Sequence, residues 1–287
     1  MGVVPLSMRG ETMIKSINSW SFRDANDLKG NVALAKKAGF EAIELALNED
    51  AGPLTWKSTE AEVKQVRKVV EDAGLQVASL AIGTGWKYPL SSPDPKVVKA
   101  GADSIRKGLD VAHWLGTDGV LVVPGVTTPE VPYDVVYKKT QEELSKLLDH
   151  AAQAKAAICV ENVWNKFHLS PIEMRDYVDS FKSPWLAVYL DVGNMILYGY
   201  PEQWIRILGK RVKKVHFKDF RASVGNFGGF VGLLEGDVNW PEVMKAFKEV
   251  GYNGPASVEI GCYKYHWEAS IYVISLQMDY IFGRRSG

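Results

Sequence analysis

Between Lys155 and Glu259 the chain reads, in order, Ile158-Cys159-Val160-Glu161, Leu186-Ala187-Val188-Tyr189-Leu190-Asp191, Val212-Lys213-Lys214-Val215-His216 and Ala256-Ser257-Val258-Glu259. Each is a short apolar, β-branched run ending in a residue that can ligate a metal, the pattern of a buried strand with a polar C-terminal edge. Successive ends are 30, 25 and 43 residues apart. Such intervals suit strands joined by crossover helices, and a (β/α)8 barrel keeps its chemistry at the C-terminal face of its strands. A lone carboxylate at a strand end is commonly a helix cap or an ion-pair partner. Four ligand-type residues in succession on apolar strands are different, because three carboxylates buried together need a cation or protons to neutralise them. Glu161, Asp191, His216 and Glu259 thus form a mixed oxygen and nitrogen donor set for one divalent ion.

Outward from that stretch, the same alternation continues towards the N-terminus. Ile14 to Trp20 alternates like an opening strand whose polar end, Asn18 to Phe22, falls at the loop face. Asp27 caps a predicted helix through Ala38 that Gly39 closes. Glu41 to Ala46 reads as the second strand, with Glu44 a candidate for either a substrate contact at the barrel mouth or a structural ion pair. Thr59 and Glu62 form a capping box for a helix through Ala73, and Leu75 to Ala81 is the third strand. The loop from Gly83 to Pro95 carries Trp86 and Tyr88, aromatics suited to a wall over a sugar or to a cap on the barrel core. A long helix from Pro95 to Leu115 precedes strand four, Gly119 to Val123. One amphipathic helix is expected around Glu142, Leu144, Leu147, Leu148 and Ala151.

Later helices start at Pro171, at Pro201 and at Trp240-Pro241, and the last is predicted over His266 to Phe282. Between strand seven and the Trp240 helix lies a glycine-rich segment, Phe220 to Asn239, readable as a loop, a lid or a phosphate cradle. Eight strand-helix units follow one another without a break in composition. The expectation is therefore a single-domain (β/α)8 TIM barrel over residues 13–287, preceded by an extension, residues 1–12, without fixed structure. That extension has no sustained apolar core of a signal peptide, and Met8 or Met13 are alternative starts.

Composition narrows the function. The chain has 287 residues, 46% hydrophobic and 24% charged, with 34 basic and 34 acidic residues, so its formal net charge is zero. That balance argues against a dominant nucleic-acid or membrane-surface role. No run reaches the ~18 apolar residues needed to span a bilayer. The two cysteines, Cys159 and Cys262, lack CxxC spacing and read as reduced thiols of a cytoplasmic protein.

Period-two alternation puts Glu161 with Cys159 on one face of a strand, and His216 with Lys214 and Lys218 on one face of another. Lys218 is then a candidate to hold a substrate oxygen or phosphate, with a surface Lys as the plain alternative. Asp219 is expected to orient Lys218 or His216. A cation held by these ligands acts as a Lewis acid on adjacent hydroxyl and carbonyl oxygens of a ketose. Glu161 and Glu259 can then exchange a proton with the carbon from two sides, inverting it.

The motifs Glu161-Asn162, Asp191-Val192-Gly193-Asn194, His216-Phe217-Lys218-Asp219, Gly236-Asp237-Val238-Asn239-Trp240 and Val258-Glu259 resemble the sugar phosphate isomerase/epimerase family of xylose-isomerase-like TIM barrels. The resemblance spans Ile14 to the C-terminal helix. It implies one divalent ion, Mn first with Co, Mg or Zn as alternatives, on Glu161, Asp191, His216 and Glu259. It also implies the acid/base role for Glu161 and Glu259, and a ketose 3-epimerase or aldose-ketose isomerase of carbohydrate metabolism acting on a small sugar or sugar phosphate. The D-tagatose 3-epimerase-like members place a His where this chain has Asn194 and an Arg where it has Ala222, with Arg221 one residue away. The His-x-Lys-Asp form looks more like L-xylulose-phosphate epimerases and inosose dehydratases. Substrate-contact candidates are therefore Glu44, Asn194, Lys218, Arg221 and Trp86.

The alternatives are an inosose dehydratase-like lyase, an endonuclease IV-like phosphodiesterase and a non-catalytic sugar-binding subunit. Endonuclease IV needs a His-rich three-zinc cluster, whereas this chain has five His in all. A homodimer or homotetramer is expected of such a barrel, with no nucleic-acid or membrane partner.

Overall fold

The computed structural model describes residues 13–285. The expected N-terminal extension, with its signal-peptide and start-site readings, lies outside the described residues. Eight parallel strands close into a barrel: β1 (Ile14–Asn18), β2 (Ala42–Leu47), β3 (Gln76–Ile82), β4 (Gly119–Val122), β5 (Ala157–Glu161), β6 (Leu186–Asp191), β7 (Val212–Phe217) and β10 (Pro255–Val258). They follow chain order around the wall, and β1 closes the ring against β10. Two short strands, β8 (Asp219–Phe220) and β9 (Phe230–Val231), form an antiparallel ribbon above β7.

Helices α1 (Leu28–Ala38), α2 (Glu60–Asp72), α3 (Pro95–Leu115), α4 (Tyr133–Ser145), α5 (Leu148–Ala154), α6 (Pro171–Ser180), α7 (Pro201–Leu208), α8 (Trp240–Val250) and α9 (Trp267–Ile281) cover the outside. Local chemistry sets their ends. The Asp27 side chain accepts from the Gly30 amide, Thr59 and Glu62 complete a reciprocal capping box, and Gly39, Gly116 and Gly251 end helices in the left-handed region.

Three expectations are corrected. The single helix expected across Glu142 to Ala151 is interrupted by a turn at Lys146 and Leu147, between Ser145 and Leu148. Leu144, Leu147 and Ala151 are all fully buried, on one face across the interruption. The last helix starts one residue later than expected, with His266 in the left-handed region as its N-cap. The glycine-rich segment is built as the β8–β9 ribbon with 3-10 turns at Ala222–Val224 and Phe227–Gly229.

The core has two parts. The larger lies between strands and helices. The smaller fills the barrel with Ala81, Leu121, Val123, Ala157, Cys159, Ala187 and Tyr189. Cys159 therefore faces inward as the strand period requires, and burial pushes its thiol up to about 12. Both cysteines are unpaired, and among the described residues no helix is long and apolar enough to cross a membrane.

The first strand is tied to the last helix by one buried cation. Lys15 points out of β1, is 3% exposed, and places Nζ 2.6 Å from Asp279 Oδ1 and 3.0 Å from Ser275 Oγ of α9. Removing one partner of a buried pair strands the other, so Lys15→Ala should cost about 3 kcal/mol in urea unfolding. A change within about 0.5 kcal/mol, the range of ordinary surface substitutions, would remove this tie from the account of barrel closure.

Candidate metal centre

Glu161 is the last residue of β5, Asp191 the last of β6, His216 lies one residue from the end of β7, and Glu259 follows β10 directly. Their positions across the wall are set by register, with Asp191 and Ser257 both paired to His216. The Glu259 amide continues the ladder by donating to the Phe217 carbonyl. One ligand-type atom from each of Glu161, Asp191, His216 and Glu259 lies within 4.8 Å of the others.

The surrounding backbone aims these atoms. Asp191 Oδ1 accepts from the amides of Gly193 and Asn194 at 2.9 and 2.8 Å, a turn that consumes one oxygen and leaves Oδ2 facing the cluster. Asn162 locks the neighbouring strand ends together, its Nδ2 donating to the Asp191 carbonyl and its Oδ1 accepting from the Asp191 amide, both at 2.8 Å. Gly193 is required by a close approach, since a Cβ there would lie 2.6 Å from Lys218 Cβ. Ser21 brackets Glu259, donating to the Val258 carbonyl and accepting from the Ile260 amide.

His216 Nδ1 lies 3.0 Å from Glu259 Oε2, 3.5 Å from Glu161 Oε1 and 3.8 Å from Asp191 Oδ2. Lys218 Nζ lies 2.6 Å from Glu259 Oε2 and 3.1 Å from Asp191 Oδ2. Despite these distances, His216 Nδ1 and Asp191 Oδ2 are buried polar atoms without a hydrogen bond. Two orphaned groups aimed into a ring of carboxylates fit a divalent cation, which takes oxygen and imidazole donors and offsets their buried charge.

The electrostatics are those of crowded anions. Burial pushes the Glu161 carboxyl up to about 7 and also raises Asp191. Burial acts the same way on Glu259, but Lys218 and His216 outweigh it and hold that carboxyl down at about 2. Lys218 is itself disfavoured by burial, yet Asp191 and Glu259 keep it protonated well above the ordinary range.

Above the ligands opens a cavity of about 810 Å3. Trp20, Trp86, Trp164, Phe227, Phe230 and Tyr263 form its aromatic walls, and Glu161, Asn194, Lys218 and Glu259 present its polar floor. Of the expected substrate contacts, Asn194, Lys218 and Trp86 line this cavity, whereas Glu44 and Arg221 do not. Arg221 is exposed and its Nε donates to the Glu235 carbonyl. Glu44 is fully buried inside the barrel, 2.6 Å from His216 Nε2. Burial would raise its carboxyl, but His216 and the donors Tyr189 and Asn18 bring it below its ordinary value.

Asp219 is a further correction. Its carboxylate touches neither Lys218 nor His216. It accepts instead from the amides of Phe220, Leu234 and Val238 and from Trp240 Nε1 at 2.9 to 3.2 Å, folding the glycine-rich segment over the cavity. Gly236 is needed beside it, because a Cβ there would lie 2.1 Å from Asp219 Oδ1. The aromatic walls from Trp164, Phe227, Phe230 and Tyr263, and the bracketing role of Ser21, went unrecognised in the sequence. Only the polar end Asn18 to Phe22 signalled any of them.

Comparison with known proteins identifies the family and the fold. The family profile described as xylose isomerase-like TIM barrel matches residues 32–277. A putative L-ribulose-5-phosphate 3-epimerase, SgbU, of Haemophilus influenzae is 25% identical over 245 residues, covering 80% of this chain and 82% of that protein. The L-ribulose-5-phosphate 3-epimerase UlaE of Escherichia coli O1:K1 / APEC is 27% identical over 239 residues, covering 79% and 80%. The solved structure of an L-ribulose 3-epimerase superposes with a TM-score of 0.77 at 18% identity, covering 95% of each chain, a likeness of fold.

Asp219→Ala should leave the amides of Leu234 and Val238 without their acceptor, so their hydrogen exchange should accelerate and stability should fall by about 3 kcal/mol. Unchanged exchange at both amides would show that the segment is held by its aromatic packing instead.

Proposed function

The chain belongs to the xylose isomerase-like TIM barrel family, and from that premise we propose that it is a divalent-metal-dependent sugar epimerase that inverts carbon 3 of a small ketose or ketose phosphate. The observation that carries this reading is the pair of buried atoms without a hydrogen bond, His216 Nδ1 and Asp191 Oδ2, aimed into a cluster that also contains two glutamates. The names of the similar ribulose-phosphate 3-epimerases support the reaction class.

Glu161, Asp191, His216 and Glu259 would hold the ion, with Mn2+ the first choice for a site of this composition. When bound, such an ion supplies a Lewis acid that favours ionisation next to a carbonyl. The chain's own groups supply the proton transfers. Glu161 and Glu259 come from strands separated in the wall by β6 and β7, so a sugar carbon between them meets a carboxylate on each side. One glutamate removes the proton from carbon 3, leaving an enediolate across carbons 2 and 3. The other delivers a proton to the opposite face, which inverts the centre. Lys218 offers an ammonium to a sugar oxygen on the floor, and Asn194 is fixed beside it by donating to the Asn162 carbonyl. The aromatic walls shed water from the reacting carbon and stack on the sugar's apolar face. The unpaired cysteines accord with a reducing cytoplasm.

Metal-stripped protein should gain about 2.7 kcal/mol of unfolding free energy when Mn2+ is added at about a hundredfold its Kd, and His216→Ala should abolish the gain. In heavy water with Mn2+ or Co2+ and a panel of free and phosphorylated pentuloses and hexuloses, NMR should show deuterium entering at carbon 3 of one substrate. Glu161→Gln and Glu259→Gln should each slow that exchange by about 100-fold or more. Exchange at carbon 1 or 2 would make the enzyme an aldose-ketose isomerase, and loss of water from an inosose would make it a lyase. No exchange with any sugar by metal-loaded protein would sink the epimerase reading.

A further inference from the structure

Glu44 lies too deep to meet a substrate, yet its surroundings are among the most constrained in the barrel. Its two oxygens accept four hydrogen bonds: Oε1 from Tyr189 Oη at 2.7 Å and Ser79 Oγ at 3.0 Å, Oε2 from Asn18 Nδ2 at 2.6 Å and His216 Nε2 at 2.6 Å. The donors come from β1, β3, β6 and β7, none of them from its own strand. An ionised carboxylate has about four acceptor directions, so the set uses them all. It has no proton to give, and His216 Nε2 must therefore be the donor.

Burial disfavours a charged ring here, but with no cation present Glu44 and Glu259 hold His216 protonated well above its ordinary range. In the neutral form, the one that ligates a metal, the Nε2 requirement fixes the other side of the ring. In a neutral imidazole only one nitrogen carries hydrogen, so a proton on Nε2 leaves Nδ1 as a bare lone pair. Nδ1 is the atom that faces Glu161, Asp191 and Glu259 and lacks a hydrogen bond.

A second, independent feature concerns the sheet. The register of the parallel barrel shifts at two places, between Ile43 and Glu44 in the β2–β3 pair and between Val188 and Tyr189 in the β6–β7 pair. Both shifts fall at members of this one network. The first brings Glu44 opposite Ser79, and the extra residue it leaves on β3, Ala78, turns its carbonyl to Lys214 Nζ and Thr117 Oγ1. Irregularities of this kind re-aim side chains beside functional sites.

We propose that Glu44 is the positioning residue of the candidate metal centre. With Tyr189, Ser79 and Asn18 as its frame, it holds the His216 ring so that Nδ1 is presented to a divalent cation, and it thereby sets the affinity of the site. The proposal rests on the reading of Glu161, Asp191, His216 and Glu259 as the ligands. A hydrogen-bonded carboxylate behind a ligating imidazole also raises the basicity of the ligand.

The test is a Mn2+ titration of metal-stripped wild type and Glu44→Gln, followed by the electron paramagnetic resonance signal of free Mn2+, with circular dichroism to establish folding. Glutamine keeps the volume of the side chain and removes its charge. The Kd for Mn2+ should rise by about 10- to 100-fold. A purely structural role would lower the melting temperature without moving the Kd of the folded variant. Should the variant not fold, the wild type decides alone: in Zn2+-loaded protein, NMR should find the His216 Nε2 proton far downfield and slow to exchange with water. Wild type that takes up no Mn2+ overturns the metal reading and this proposal with it. Wild type that binds while folded Glu44→Gln binds equally tightly overturns this proposal alone, as does a rapidly exchanging Nε2 proton.

Discussion

Concentrated negative charge in a place that water barely reaches is the constraint on which the rest of this structure depends. Glu44, Glu161 and Asp191 are at most 4% exposed and Glu259 is largely covered, all gathered around one imidazole and one ammonium. Isolated carboxylates so placed would be prohibitively costly, and each must be met by donors or cations. The site does this unevenly. Glu44 is saturated by four protein donors, whereas Asp191 spends one oxygen on a backbone turn and leaves the other without a hydrogen bond. The lower carboxylate belongs to the protein and the upper three offer themselves to a ligand.

The barrel supplies the means for this division. Parallel strands buried on both faces deliver their ends to one rim, and the alternation of side chains sends Cys159, Glu161, Tyr189, Asp191 and His216 inward. Above the rim, loops are held by short-range polar contacts with single acceptors. Asp219 gathers three amides and an indole, and its chain segment carries Phe227 and Phe230 to the cavity. The reactive floor is thus set largely at strand ends, and one part of the wall, Phe227 and Phe230, by a loop hung from one carboxylate.

Much of this was legible in the sequence, for physical reasons. An apolar β-branched run ending in Glu161 or Asp191 is hard to read otherwise, and Gly39, Thr59, Pro171 and Gly251 mark helix ends by local chemistry. What resisted reading was whatever depends on contacts across the barrel. Glu44 sits on β2 and its imidazole partner on β7, and their meeting follows from closure and a register shift that no local pattern announces. Asp219 does not orient Lys218 or His216 because its partners, the amides of Leu234 and Val238 and the Trp240 indole, come from a later segment that no local pattern brings back to it. The interruption between α4 and α5 has no glycine or proline to signal it.

The missing side chain of Gly193 has a consequence for how such a site can change. Its Cα stands against the Cβ of Lys218, so the turn after β6 and the segment after β7 occupy one shared space. Neither can be remodelled alone: a bulkier residue in the first displaces the ammonium of the second, and with it a partner of two ligand carboxylates. The two motifs form a single heritable unit. A graft of a new specificity loop onto this barrel would have to transplant both together.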